Sequence, residues 1–194
     1  MSNDSSLHMQ SAAQAAPLAW LRGDAPGALP ADPGLRSWLE DAGSLTMRLR
    51  AACGSGFRLE LLGETLEAAP PDAGELLELS ADFRVRRVRM FCGDRLCVCA
   101  ATLIPPSTLA GEPWLGALGD RPLGDALLER GGIRRSPFTY ARAPADHALF
   151  AIALQGADIR PAQVWARRSA FSLDSGPILV YEIFLPDLTR CGSP

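Results

Sequence analysis

The sequence predicts an α+β domain, an antiparallel sheet of about six strands with helices covering one side. Three observations carry that prediction. Strand-length runs rich in Val, Leu, Ile and Phe dominate from residue 56 onward. Turn signals, Gly93-Asp94 and Asp174-Ser175-Gly176, join two pairs of these runs into hairpins. Helical patterns gather near the start and the middle instead of alternating with strands, which argues against βαβ units and a parallel sheet.

Taken in order, residues 1–30 are rich in Ala, Pro, Gly and Ser without periodicity and read as a flexible leader. Residues 31–190 are expected to form a single domain. Asp32 can cap a helix that starts at Pro33 and sets Leu35, Trp38 and Leu39 on one face. Ser44 can cap a second helix, LTMRLRAA, ended by Gly54. Strands are expected at 56–64, 83–92, 95–104, about 132–143, 164–173 and 177–185. Helices are expected in STLAGEPWLGALG and PLGDALLERGG, after Pro105-Pro106 closes the third strand. Residues 144–163 read as an insertion, an extra helix or a lid between two strands.

Bulk properties narrow the function. A chain of 194 residues can bury a core without staples, and a net charge of −3 argues against general nucleic-acid or anionic-membrane binding. No apolar run reaches membrane-spanning length, and no basic residue precedes Arg22, so neither a membrane span nor a signal peptide is expected. The chain is placed in the cytoplasm and expected to act as a monomer. Its five cysteines, Cys53, Cys92, Cys97, Cys99 and Cys191, are an odd set without Cys-x-x-Cys pairs. Cys97 and Cys99 share a strand face near Cys92, so a metal site is conceivable, but the reading that fits better is reduced, small buried side chains. With His8 and His147 the only histidines, no histidine triad or metal site is expected. There is no P-loop and no dinucleotide fingerprint. All 19 basic residues are Arg, so arginine clusters such as Arg84-Arg86-Arg87-Arg89 or Arg134-Arg135 are weak signals by themselves.

One charge stands out. The run Ile178 to Leu185 alternates so that Ile178, Val180, Glu182 and Phe184 share one face while Leu179, Tyr181, Ile183 and Leu185 share the other. Both faces are apolar, so a buried Glu182 needs a partner or a ligand to offset several kcal/mol of desolvation. A face open to water would carry the same Glu outward at no cost.

The order of segments DPGLRSWLEDAGSLTMRL, RRVRMFCGD, ATLIPPSTLAG, LGDRPLG, WARRS and YEIFLP resembles the chorismate pyruvate-lyase family over about residues 17–187. The resemblance implies a six-stranded antiparallel sheet. It also implies cofactor-independent conversion of chorismate to 4-hydroxybenzoate and pyruvate, the first step of ubiquinone biosynthesis. By the same likeness the strand Arg of the family falls on Arg87, which would clamp the ring carboxylate through two N–H groups. The Glu falls on Glu182, partner of the ring hydroxyl, as orienter or proton acceptor. Backbone contacts to the ligand fall on Leu123 and Leu45. A second family Arg falls on Ala101, and a three-residue turn at Gly93-Asp94-Arg95 would set Ala101 opposite Arg87, inside the site. The second substrate carboxylate would then fall to water or to Arg134 or Arg168. The alternative is a non-catalytic module of the same fold that binds aromatic acids, against which the absence of a basic helix-turn-helix segment before residue 56 counts only for a complete regulator.

Overall fold

A computed structural model describes residues 17–68, 70, 73, 82–144, 147, 154, 157 and 161–191. Its elements follow from local chemistry. In α1 (Pro33–Glu40) the Asp32 carboxylate accepts from the Leu35 N–H at 2.6 Å, and Pro33 occupies the first turn, where no N–H is needed. In α2 (Leu45–Cys53) the Ser44 hydroxyl accepts from Met47 N–H, and Gly54, with φ +54°, ends the helix. Helix α3 (Pro106–Gly111) leads through a 3₁₀ turn at Pro113–Ala117 to α4 (Leu123–Arg130), which has no side-chain cap.

The strands are β1 (Leu21–Arg22), β2 (Phe57–Glu67), β3 (Phe83–Cys92), β4 (Arg95–Ile104), β5 (Arg134–Arg135), β6 (Thr139–Pro144), β7 (Gln163–Leu173) and β8 (Gly176–Phe184). They form one antiparallel sheet in the order β1-β6-β7-β8-β4-β3-β2, with β5 paired to β7. The strand expected over 132–143 is split at Ser136-Pro137-Phe138, because Pro137 has no N–H to give a ladder. Of the leader expected over 1–30, residues 17–30 are described. Leu21 and Arg22 pair with Tyr140 and Thr139, and Trp20 lies 5.5 Å from the Tyr181 ring. The insertion expected at 144–163 falls mostly outside the described residues, within which Leu154 is buried.

Two faces result. On one, α1, α2 and the α3–α4 segment cover Val88, Met90, Val98, Ala100, Ile104, Ile178 and Phe184. On the other, Phe83, Val85, Ala101, Leu103, Tyr181 and Ile183 form a separate cluster with Leu18 and Trp20 packed on it. Among the described residues no helix is long and apolar enough to cross a membrane.

The β3–β4 hairpin sets which side chain meets which face. Cys92 pairs with Arg95 across a Gly93-Asp94 turn, with Gly93 at φ +61°, so the turn holds two residues and not three. A bulge follows, because Met90 pairs with Val98 but Phe91 with Leu96, leaving Cys97 as the extra residue. Beyond the bulge the register is the expected one, with Arg87 opposite Ala101. The bulge also turns Cys97 into the helix-side cluster while Cys99 joins the other, so these two cysteines do not share a face. Nor are all five thiols free, since Cys53 and Cys92 form a disulfide with Cα atoms 5.3 Å apart.

Candidate active site

Two rows of side chains cross the helix-covered face. Strand pairing aligns Arg86, Thr102, Val180 and Ser169 in the first, and Val88, Ala100, Glu182, Arg167 and Tyr140 in the second. Over these rows lies a cavity of about 310 Å³, lined by Arg86, Thr102, Ser169, Glu182, Arg135 and Phe138 among others. That volume suits one small, ring-sized ligand, at the lower end of the ~300–1,000 Å³ range for small-molecule sites. Leu45 opens α2 and Leu123 opens α4, and both line the cavity, so two helix starts converge on it. Arg50 and Asp125 bridge the two helices at 2.7 Å. Gly124 sits against Ser44, where an added Cβ would lie 3.3 Å from the Ser44 hydroxyl oxygen.

Glu182 is held by Arg167, whose Nε donates to it at 2.5 Å. Arg167 is 1% exposed. Its Nη1 donates to the carbonyls of Trp38, Leu39 and Asp41 at 3.2, 2.9 and 2.7 Å, around the C-terminal end of α1. A buried guanidinium there satisfies carbonyls that the helix leaves unpaired and meets the negative end of its dipole. The Phe138 ring lies 4.1 Å from the same guanidinium. Arg135 donates to the Ala42 carbonyl, and its pKa is lowered by burial and by the charge of Arg167.

Arg86 occupies the other end of the cavity, two strands away from Glu182. Its Nη2 donates to the carbonyls of Gly119 and Arg121 at 2.9 and 3.0 Å, which ties down the loop that leads into α4. Its Nε is buried without a hydrogen-bond partner, and the nearest Glu64 oxygen is 3.9 Å away. Burial lowers its pKa, opposed by Glu64 and Asp120.

Of the four expected site residues, the structure brings Leu45, Leu123 and Glu182 to one cavity and sends Arg87 to the opposite face. There Arg87 donates through both terminal nitrogens to the Glu67 carboxylate, at 2.5 and 2.8 Å, and to the Thr65 hydroxyl at 3.1 Å. The reason is parity. Alternation puts Arg86 on the face of Val88 and Met90, and the β4–β8 register, Ala100 opposite Glu182, puts Glu182 on that face as well. Ala101, opposite Arg87 as expected, is therefore outside the cavity, 2% exposed between Arg87 and Tyr181. Arg168 shares that far face, stacked 4.5 Å from Trp20, so it is no partner for a ligand in the cavity.

Arg86, Arg167 and Arg135 are the residues that sequence reasoning missed. A signal for Arg167 existed, since a two-residue turn at Asp174-Ser175 counts back to Arg167 opposite Glu182. For Arg86 the deciding fact is the pairing of β4 with β8, about eighty residues apart, which no local pattern reports.

The chain is similar to known proteins over most of its length. A family model described as chorismate lyase matches residues 16–190. A protein named as a probable chorismate pyruvate-lyase from Thiobacillus denitrificans is 39% identical over 166 residues, covering 84% of this chain and 88% of the relative. One of the same name from Nitrosomonas europaea is 37% identical over 178 residues, covering 90% and 97%. Among solved structures, the effector domain of PhnF from Mycobacterium smegmatis aligns with a TM-score of 0.47 at 18% identity, over 75% of this chain and 90% of that one.

Proposed function

Because the chain belongs to the chorismate lyase family, we propose that it converts chorismate to 4-hydroxybenzoate and pyruvate without a cofactor, as the first step of ubiquinone biosynthesis. The observation that carries this reading is one cavity with a buried, incompletely paired Arg86 at one end and a carboxylate, Glu182, at the other. β3 and β8 stand two strand spacings apart, about 10 Å. A ring with para substituents and a hydrogen bond at each end fills roughly that distance.

In this reading Arg86 takes the role first expected of Arg87. Its guanidinium holds the ring carboxylate by charge-assisted bonds, helped by the uncapped N–H groups and positive dipole end of α4 at Leu123. Glu182, fixed by Arg167, accepts a hydrogen bond from the ring hydroxyl. Arg135 supplies the cation for the enolpyruvyl carboxylate, in place of the expected second Arg at position 101.

The reaction breaks the ring carbon–oxygen bond of the ether and removes the hydrogen from the hydroxyl-bearing carbon. The group that departs leaves as an enolate with the bonding pair on oxygen, the ring hydrogen leaves as a proton, and the enolate becomes pyruvate by taking up one proton at its methylene carbon. Aromatisation drives the step, so the site contributes orientation, exclusion of water and stabilisation of charge on the departing oxygen. Apolar walls such as Val88, Met90, Val180 and Phe171 strengthen each polar contact. Purified protein given chorismate should yield 4-hydroxybenzoate and pyruvate in equal amounts. Unchanged chorismate, or one product without the other, would overturn the reading.

A further inference from the structure

Four of the five cysteines meet at one place, although the chain brings them from four separate segments. Cys53 ends α2, Cys92 ends β3, Cys97 is the bulged residue of β4, and Cys191 follows the 3₁₀ turn Pro186–Arg190. The sulfurs of Cys53, Cys92 and Cys191 all lie within 4.8 Å of one another. The Cys97 sulfur is 2.7 Å from that of Cys191. Cys53 and Cys92 are half-buried, which leaves a way in from solvent, while Cys97 and Cys191 are buried.

All four belong to the helix-side apolar cluster, and the backbone gives a further reason for their meeting. The β4 bulge is what aims Cys97 at Cys191; without the extra residue it would lie on the face of Cys99. The C-terminal turn is pinned to the same spot, with Leu185 N–H donating to the Cys97 carbonyl at 3.0 Å and Cys191 N–H to the Leu188 carbonyl at 3.0 Å.

We propose that in the reduced chain Cys53, Cys92, Cys97 and Cys191 form a tetrathiolate site for a soft divalent metal ion of the zinc class. Tetrahedral zinc with sulfur at about 2.3 Å needs sulfur–sulfur separations of about 3.8 Å, which falls between the 2.7 Å of the Cys97–Cys191 pair and the 4.8 Å that bounds Cys53, Cys92 and Cys191. The four thiols each release a proton on binding. The site lies at the far end of α2 from Leu45, about 12 Å along the helix, so the ion is structural and takes no part in chemistry at the cavity. It fastens α2, the β3–β4 hairpin and the C-terminal turn together, and so sets where the start of α2 stands over the cavity.

The test uses the full chain, reduced anaerobically with a phosphine. That reagent takes the Cys53–Cys92 bond to two thiols and, with the oxygen of water, becomes phosphine oxide. Titration with Co²⁺ should give one equivalent per chain with the thiolate charge-transfer and tetrahedral d–d absorption of a four-sulfur site, bleached when Zn²⁺ displaces cobalt. Cys97→Ser and Cys191→Ser should each lose that spectrum, and Cys99→Ser, on the other face, should keep it. Zn²⁺ at a hundredfold excess over its Kd should raise Tm by about 5–10 °C. As a check that needs no variant, bound Zn²⁺ should protect Cys53 and Cys92 from alkylation, read by peptide mapping. Absence of the tetrahedral spectrum, its survival in Cys97→Ser and Cys191→Ser, or alkylation of Cys53 and Cys92 unaffected by Zn²⁺ would each overturn the proposal. None of these readouts depends on turnover of chorismate.

Discussion

Arg86 and Arg87 are adjacent in sequence, both nearly excluded from solvent at 2% and 3% exposure, and yet they serve opposite faces of the sheet. Arg87 is paired inside the protein. Its two terminal nitrogens meet the two oxygens of Glu67, and Nη1 also donates to Thr65, although its Nε, like that of Arg86, has no hydrogen-bond partner. Arg86 differs at its terminal nitrogens, with two carbonyls on Nη2 and a carboxylate no nearer than 3.9 Å. Burial by itself therefore does not mark a ligand-binding arginine. A guanidinium matched by a carboxylate holds structure, whereas one left short of acceptors at a cavity wall has capacity for an anion.

The largest expected effect is kinetic. Arg86→Lys keeps a charge but not the planar fork, and kcat/KM for chorismate should fall about tenfold to a hundredfold, from loss of about 1.5–3 kcal/mol of charge-assisted bonding. Arg87→Lys should leave kcat/KM within about threefold while lowering Tm, because it weakens the contact that satisfies Glu67. Steady-state rates and melting curves on both variants check the pair, and a larger kinetic loss from Arg87→Lys would reverse the assignment.

A smaller effect should come from the two helix starts over the cavity. Gly124→Ala puts a methyl 3.3 Å from the Ser44 hydroxyl oxygen and pushes the starts of α2 and α4 apart by a few tenths of an ångström. KM for chorismate should rise about threefold to tenfold, with Tm changed little. An unchanged KM would mean that the convergence of Leu45 and Leu123 does not matter for binding.

The smallest effect separates the faces by pH. Burial would raise the Glu67 carboxyl, but hydrogen bonds from Arg87 and Thr65 together with the Arg87 charge outweigh it and hold it below the ordinary value. A depressed folded-state pKa contributes stability that is present above the unfolded value and lost as pH falls through the folded one. The parent should therefore lose stability in the acid range, below the ordinary Glu value of 4.5, more steeply than Glu67→Gln. Melting curves across that range check this, and parallel curves would show that the ion pair contributes nothing.

Local chemistry made most of the fold legible. Asp32, Ser44 and Gly54 announce their helix ends through caps, and Gly93-Asp94 and Asp174-Ser175 announce their hairpins. The anomaly of Glu182 in an apolar run was likewise readable, and its partner Arg167 could have been counted across the hairpin. What was not readable was parity. Arg86 and Arg87 differ by one position, each face of the strand carries two arginines among apolar residues, and a bulge compensates a shorter turn so that the Arg87–Ala101 pairing comes out as expected for the wrong reason. The side on which Glu182 stands is fixed by β8 docking on β4, a contact between distant segments. The four-cysteine cluster has the same character, since spacings of 39 and 94 residues carry no motif.

Calorimetric titration of 4-hydroxybenzoate into Arg86→Met and Arg87→Met tests the central claim most directly, because the product keeps the ring carboxylate and hydroxyl and undergoes no chemistry. Arg86→Met should bind at least about tenfold more weakly than the parent, and Arg87→Met should bind within about threefold of it. Parent-like affinity in Arg86→Met, together with weakened binding in Arg87→Met, would contradict the assignment of the ligand to the helix-covered face.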